Sequence, residues 1–363
     1  MDEWDELNRL AKAGARASGR ASSGRVSSGR VSMASVAGRA GVSGQTVSRV
    51  VNGSPRVDPA TRIRVENAMT ELGYRPHRAA RALRTGRTQT IGLVVTTLAT
   101  VGNSRMLQAT AEAAEERGYA LLLVTAGDTV AEAFERLHDQ GVDGAIVLNE
   151  ASALTRADDR PEGLRLVAVD APAASGFRVV HSDHAGGAAA ATGRLLALGH
   201  ENVWHLAGPE DSFAAAERER GWRETLRAAG ITPKSVERGD WSAESGHAAA
   251  GALTQATAVF SANDQMALGL VRGFEERGRA VPDQVSVIGF DDVPDAANYR
   301  PPLTTVRQDF RALAVAAVDA LVAEIEGTGI DGAGTEGAGI ALDGDAQRIV
   351  PTSLIERSST NRA

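Results

Sequence analysis

The chain has 363 residues and not one cysteine. Disulfide staples, thiolate nucleophiles and cysteine-bound zinc are therefore excluded together, and a reducing compartment fits this composition. No run of about 18 apolar residues occurs, so no membrane-spanning helix is expected. The N-terminus, MDEWDELNRL, is acidic and lacks the apolar stretch of a secretory signal. Also missing are a P-loop, a G-x-S-x-G nucleophile elbow and an H-E-x-x-H zinc helix. The expectation is a cytoplasmic protein that is not an enzyme and needs no cofactor.

What is present begins at Met33. Val36, Ala37 and Ala40 keep helical spacing, Gly41 interrupts it, and Val47, Val50 and Val51 resume it. Ser43 stands where an N-cap belongs, and Asn52-Gly53 supplies a left-handed exit. The pattern is that of a helix-turn-helix. A third helix follows, opened by Asp58-Pro59, carrying the stripe Val65, Ala68, Met69 and Leu72, and closed by Gly73.

The exposed side of the second helix offers Gln45, Thr46, Ser48 and Arg49, side chains able to read base edges and phosphates in a major groove. Charge separates this reading from a merely solvated helix pair. Residues 33–90 hold ten arginines and no lysine against Asp58, Glu66 and Glu71, a net +7 in a chain whose net charge is −7. Residues 91–363 carry −16 and residues 1–32 carry +2. Only the N-terminal end therefore attracts a polyanion. The DNA-contacting set is Ser43, Gly44, Gln45, Thr46, Ser48, Arg49, Asn52 and Arg56.

The runs VAGRAGVSGQTVSRVVNG and VDPATRIRVENAMTELGYRPHRAARALRTGRTQTIGLVV, followed by GDWSA, SANDQMALG, GFDD and PPLTTVRQDF, resemble the lactose-repressor (LacI/GalR) family of bacterial transcription regulators. The resemblance is dense from Met33 to Val95 and thinner beyond. It implies an N-terminal all-α helix-turn-helix domain plus an α/β periplasmic-binding-protein-like core of two parallel-sheet lobes. The chain would cross three times between the lobes, and a ligand cleft would separate them. It also implies that Arg78 to Leu83, too short to hold a helix in water alone, becomes a hinge helix when two copies meet on DNA. Leu83 would then wedge into the minor groove, and Ala80 would face the other copy. A buried linker residue is the alternative for Leu83.

The expected domains are a disordered Ser/Gly/Arg-rich arm (1–32), the DNA-binding domain (33–76), hinge and linker (77–89), and the core (90–363). The arm holds three five-residue repeats, Ser18 to Ser32, with too few apolar groups to fold. It is either a basic tail for phosphates or a stretch preceding a true start at Met33. From Ile91 onward, short Val/Leu/Ile runs alternate with Ala/Arg/Glu-rich stretches, as in sheets covered by helices on both faces. Residues 327–347 are Gly-rich and read as a flexible surface insertion; the G-x-G-x-x-G within them has neither a leading strand nor a following helix. No leucine heptad closes the chain, so a homodimer is expected rather than a tetramer.

Sugars are held by carboxylates, amides, an arginine fork and an aromatic face. Asp170, Asn263 and Asp291 end the strand-like runs LRLVAVD, TAVFSAN and VSVIGFD, where α/β sheets bind ligands. Arg218, Trp241 and Gln308 join them because they match the family's ligand positions. Each has a plainer alternative: the two aspartates as caps, Trp241 as core. Around Thr100 to Met106 and at His181 the family pattern is more apolar or aromatic, so the aglycone side of the pocket should differ. His181-Ser-Asp183-His184 is read as the turn into a helix starting near Gly186 rather than as a metal site. The reading is a dimeric operator-binding repressor of carbohydrate-use genes, released by a sugar, with a galactoside-like effector in view. Its alternatives are a corepressor-dependent regulator sensing a purine or other small molecule, and a sugar-binding module without DNA function.

Overall fold

The structure is a computed structural model that describes residues 31–75, 86–127, 129–149, 163–172, 177–327, 341–343 and 347–363. These belong to two compact units, Met1–Arg81 and Ala82–Ala363. Most of the Ser/Gly/Arg arm, the hinge residues Ala80 and Leu83, and most of the Gly-rich stretch lie outside the described residues.

The first unit contains α1 (Met33–Ala40), α2 (Gly44–Val51) and α3 (Pro59–Leu72). Ser32, Ser43 and Asp58 cap them, each accepting a first-turn backbone N–H. Ser32, which the sequence places in the arm, is thus the start of α1. Gly41 and Gly73 end α1 and α3 in the left-handed region, each at φ 63°. After α2 only Gly53 turns left-handed, at φ 66°, while Asn52 stays at φ −92°. Val36, Ala37, Ala40, Val47, Val50, Val57, Val65 and Ala68 form the core. These are small side chains, so the caps, worth about 1 kcal/mol each, carry a large share of the unit's stability.

The second unit is built on two sheets. The first follows the order β11-β12-β5-β4-β3-β1-β2 and the second β13-β10-β9-β8-β6-β7. The strands of the first are β1 (Thr90–Val95), β2 (Ala120–Thr125), β3 (Gly144–Leu148), β4 (Arg165–Val169), β5 (Arg178–Ser182), β11 (Ala341–Asp343) and β12 (Gln347–Val350). Those of the second are β6 (Trp204–Ala207), β7 (Glu237–Arg238), β8 (Ala258–Ser261), β9 (Ser286–Asp291), β10 (Thr304–Arg307) and β13 (Ser353–Ile355). Pairing is parallel except for β11 with β12 and β10 with β13. Counting strands within each lobe, both sheets repeat the order 2-1-3-4-5. Fully buried runs such as Gly144–Leu148 and Ser286–Asp291 reflect helices on both faces.

The covering helices of the first lobe are α4 (Val101–Glu116), α5 (Ala131–Asp139) and α10 (Phe310–Glu326). The second lobe has α6 (His184–Ala197), α7 (Phe213–Ala228), α8 (Ala243–Ala249) and α9 (Asp264–Glu275). The chain passes between lobes three times: from β5 into α6, from β10 into α10, and from β12 into β13. The first and third passages are tied together, since Asp183 N–H donates to Val350 O at 2.8 Å and the Thr352 hydroxyl to Asp183 O at 3.1 Å.

Two local readings change. His181 and Ser182 are strand residues of β5, and α6 starts at His184 with Asp183 as its N-cap, not near Gly186. The strand was hidden because RVVHS is short and runs straight into the helix. The Gly-rich insertion is also narrower than 327–347. Gly327 is the left-handed C-cap of α10, Ala341–Asp343 pairs with β12, and Gln347 opens β12 itself.

Candidate functional site

The carboxyl ends of both sheets face one cleft, where a 2-1-3-4-5 order places ligands. It is open to solvent, spans about 480 Å³ with its mouth included, and is lined by Thr100, Gly102, Met106, Asn149, Asp170, Ser212, Ala214, Arg218, Trp241, Asn263, Asp291, Gln308 and Phe310. All six residues selected from the sequence as ligand contacts lie in it. Asp170 follows β4, Arg218 is on α7, and Trp241 sits in the loop before α8. Asn263 follows β8, Asp291 ends β9, and Gln308 stands on the second passage between lobes.

Four of the six belong to one buried polar chain. His184 Nε2 donates to Asp170 Oδ1 at 2.8 Å, and Arg218 Nε donates to His184 Nδ1 at 3.3 Å. The Arg218 guanidinium lies 3.5 Å from Asp291 Oδ1, donates to Ala262 O, and stacks over Phe290 at 3.9 Å. Gln308 Nε2 donates to Asp291 Oδ1 at 2.6 Å. The chain links the first lobe, through Asp170, to the second, through His184, Arg218 and Asp291. Burial pushes His184 down despite the Asp170 charge, so the imidazole is neutral at pH 7 and acts as donor on one side and acceptor on the other. Burial works to raise Asp170, but His184, His181 and Arg218 outweigh it and hold the carboxyl below its usual range. Asp291 is pushed up to about 6 by burial, with Arg218 and Gln308 opposing.

Asn263 plays a different part. Its amide oxygen caps α9 by accepting from Met266 N, and its nitrogen donates to Trp241 O and to Gln265. It lines the cleft, yet its bonds hold the Trp241 loop. Trp241 is half-buried rather than core, and its ring lies on Gly208, where a Cβ would overlap the indole. Asp264, next to Asn263, is buried with Thr305 and Val293 donating to it, and burial raises its carboxyl well above the ordinary value.

The sequence reading missed Asn149, Ser212, Phe310 and His184. Asn149 ends the run GAIVLN, so the strand-end rule that selected Asp170 selects it equally. His184 gave no such signal, because its partners Asp170 and Arg218 are 14 and 34 residues away. Thr100, Gly102 and Met106 do line the cleft, whereas His181 does not. Its ring meets the Phe213 edge at 5.7 Å and bonds Ser182 O and Gln347.

In the first unit, Ser43, Gly44, Gln45, Arg49, Asn52 and Arg56 are exposed, and Thr46 and Ser48 half-buried. Ser43 and Thr46 bond each other at 2.9 Å, and Asn52 donates to Ser48 at 3.2 Å, which leaves Gln45 and Arg49 as the long side chains of the α2 surface. Among the described residues no carboxylate pairs with Arg49 or Arg56. Ala80 and Leu83 lie outside the described residues. Among the described residues, no group of three or more His, Asp or Glu stands together as a metal site, and no helix is long and apolar enough to cross a membrane.

A helix-turn-helix unit joined in one chain to a two-lobed, periplasmic-binding-protein-like core defines a ligand-responsive DNA-binding regulator. The profile of bacterial regulatory proteins of the lacI family matches residues 32–77, and that of a periplasmic binding protein-like domain matches residues 192–360. The lactose operon repressor of Escherichia coli K12 is 34% identical over 338 residues, covering 90% of this chain and 89% of that protein. A solved lac repressor dimer, bound to operator and the anti-inducer ONPF, superposes with a TM-score of 0.77 at 32% identity, covering 92% and 100%. The regulator CelR of Thermobifida fusca is 38% identical, covering 80% and 91%, and the repressor PurR of Vibrio atlanticus 32%, covering 80% and 91%. The chain belongs to the lacI family of bacterial transcriptional regulators, which are not enzymes.

Proposed function

We propose that this regulator is a cytoplasmic homodimeric repressor of carbohydrate-use genes whose effector is a sugar that releases it from its operator. The observation that carries the reading is the convergence of Asp170, Arg218, Trp241, Asp291 and Gln308 on one cleft between two lobes. Hydroxyls of a pyranose suit the acids and amides, and the Trp241 face suits its C–H side. Similarity to the lactose operon repressor supports a galactoside-like effector.

In this proposal α2 enters a major groove, with Gln45 and Arg49 specifying bases, while Ser43, Gly44, Thr46, Ser48, Asn52 and Arg56 fix its register on the backbone. Leu83, with Ala80 packed against the second copy, kinks the centre of a pseudo-palindrome. Sugar closing the lobes shifts the passage on which Gln308 stands, and hinge pairing is lost. A gel shift with the upstream region of the chain's own gene, with and without lactose, galactose and cellobiose, tests this. Loss of the shifted band with a sugar is expected. A band that ignores every sugar but strengthens with guanine or hypoxanthine would replace release by a sugar with corepression.

A further inference from the structure

The approach to the first helix carries a pattern that operator binding leaves unexplained. Three consecutive repeats, Ser18-Gly-Arg-Ala-Ser22, Ser23-Gly-Arg-Val-Ser27 and Ser28-Gly-Arg-Val-Ser32, each close on a serine two residues after an arginine. Residues 7–57 hold eight arginines and one lysine and not a single carboxylate. Ser22 and Ser27 lie outside the described residues, whereas Ser32 lies within them, at the start of α1.

Ser32 is exposed and holds extended backbone, at φ −109° and ψ 164°. Its hydroxyl oxygen accepts from Ser35 N at 3.2 Å and meets the Ser35 hydroxyl at 3.1 Å, both contacts open to solvent. Met33, Ala34 and Ser35 are exposed as well, and packing into the core starts only at Val36. Opening the first turn of α1 therefore uncovers no core side chain, so a second protein can take Ser32 in extended form at little cost. A protein kinase needs an acceptor of this kind, a hydroxyl on accessible, extended backbone. Arg30, two residues before it, supplies the cation that an acidic substrate groove recognises, and no neighbouring carboxylate in the chain opposes that groove.

We propose that Ser32 is a phosphorylation site, modified by a protein kinase with an acidic substrate groove and ATP as donor, and that the phosphate switches operator binding off. In the transfer, Ser32 Oγ attacks the γ-phosphorus of ATP. A new O–P bond forms as the bond from that phosphorus to the β–γ bridging oxygen breaks, ADP leaves, and the hydroxyl proton passes to a carboxylate of the kinase. The product carries about −1.5 to −2 charge at pH 7, in a stretch that otherwise has no negative side chain. The first turn of α1 holds no acid, so the phosphate caps the helix rather than melting it. The unit stays folded, and the effect falls on binding. This consequence rests on the operator reading above: with α2 in a major groove, the first helix crosses the DNA backbone, and the added charge at its start meets DNA phosphate.

The test is tryptic mass mapping of the full chain before and after treatment with ATP and an arginine-directed serine kinase, followed by filter binding to the upstream duplex. Ser22→Ala and Ser27→Ala are combined, so that Ser32 is the acceptor the repeats retain. The expected result is phosphate on Ser32 in the peptide of residues 31–39 and operator affinity at least tenfold weaker, the loss shrinking as salt is raised. Ser32→Asn keeps a capping side chain without a hydroxyl, and it should hold its affinity through the same treatment. Mapped from its own host, the chain should carry the same phosphate in growth or in starvation; absence in both overturns the inference. So does phosphate that settles on Ser35 alone, a Ser32-phosphorylated chain that binds as before, or a native chain that begins at Met33 and lacks the acceptor. If the untreated chain does not retain the duplex, the operator reading falls, while the mass map still decides the acceptor.

Discussion

Asn149, Asp170, Trp241 and Asp291 all line the cleft, and all carry positive φ, at 44°, 54°, 74° and 111°. Side chains other than glycine hold such angles at a cost of roughly 1–3 kcal/mol each, which the surrounding fold must offset. The Trp241 ring also needs a glycine beside it, since a Cβ at position 208 would overlap the indole. Gly208→Ala should weaken sugar binding at least tenfold while shifting the melting temperature little, as read by titration and calorimetry. Asp291, at about 6, gives the site a pH dependence. If its ionised oxygen accepts a sugar hydroxyl, affinity should fall as pH drops below about 6, and Asp291→Asn should flatten that profile. Stability has the opposite sign. The folded value lies above the unfolded one, so this group's contribution is fully present below the ordinary carboxylate range and lost as pH rises through 6. Relative to Asp291→Asn, the wild type should gain up to roughly 1 kcal/mol per pH unit as pH falls from about 6 to 4 in urea melts.

Helices and strands show how a local signal becomes a placed side chain. α2 is eight residues long, too short to stand alone, and it is held by the Ser43 cap and by Val47 and Val50 in the core. Ser43→Ala should cost about 1 kcal/mol in unfolding of the N-terminal unit, followed by hydrogen exchange at Thr46 and Val47. Arg49→Ala, which removes no packing, should leave that stability unchanged yet cost about 1–3 kcal/mol of operator affinity in a filter-binding assay. The caps, the glycine exits and the valine spacing of this unit were legible because a helix start is a local event of three or four residues. β5 and the true start of α6 were not, since a five-residue strand that turns at once into a helix leaves no breaker between them.

At the level of the whole molecule, charge divides the chain into a +7 segment at residues 33–90 and a −16 core at residues 91–363. Operator binding should therefore fall steeply with salt, with a slope near −0.9 for each phosphate neutralised, and Arg56→Gln should lower the slope by about one. The proposed release by a sugar would also be reciprocal: operator DNA would have to weaken sugar binding by the same factor by which sugar weakens operator binding. Equal sugar affinity for free and DNA-bound protein, measured by titration, would rule out the proposed coupling. The two-lobed architecture was readable from alternating runs and from the family resemblance. The order of the strands was not, because pairing joins residues as distant as Val179 and Gln347, and spacing along the chain carries no information about such partners.

The amino-acid order alone determined the three N-terminal helices, the segregation of charge and the residue types at the ends of the strands, because caps, periodicity and net charge depend on near neighbours or on counting. Tertiary structure decided which of those residues act on one another. It turned Asn263 into a cap that steadies Trp241, brought His184 between Asp170 and Arg218, and left the oxygens of Asn149 and Gln308 without donors. The physical reason is that hydrogen bonding among buried groups is a matter of complete accounting. Whether an atom is satisfied depends on every group folded against it, and no stretch of sequence contains them all.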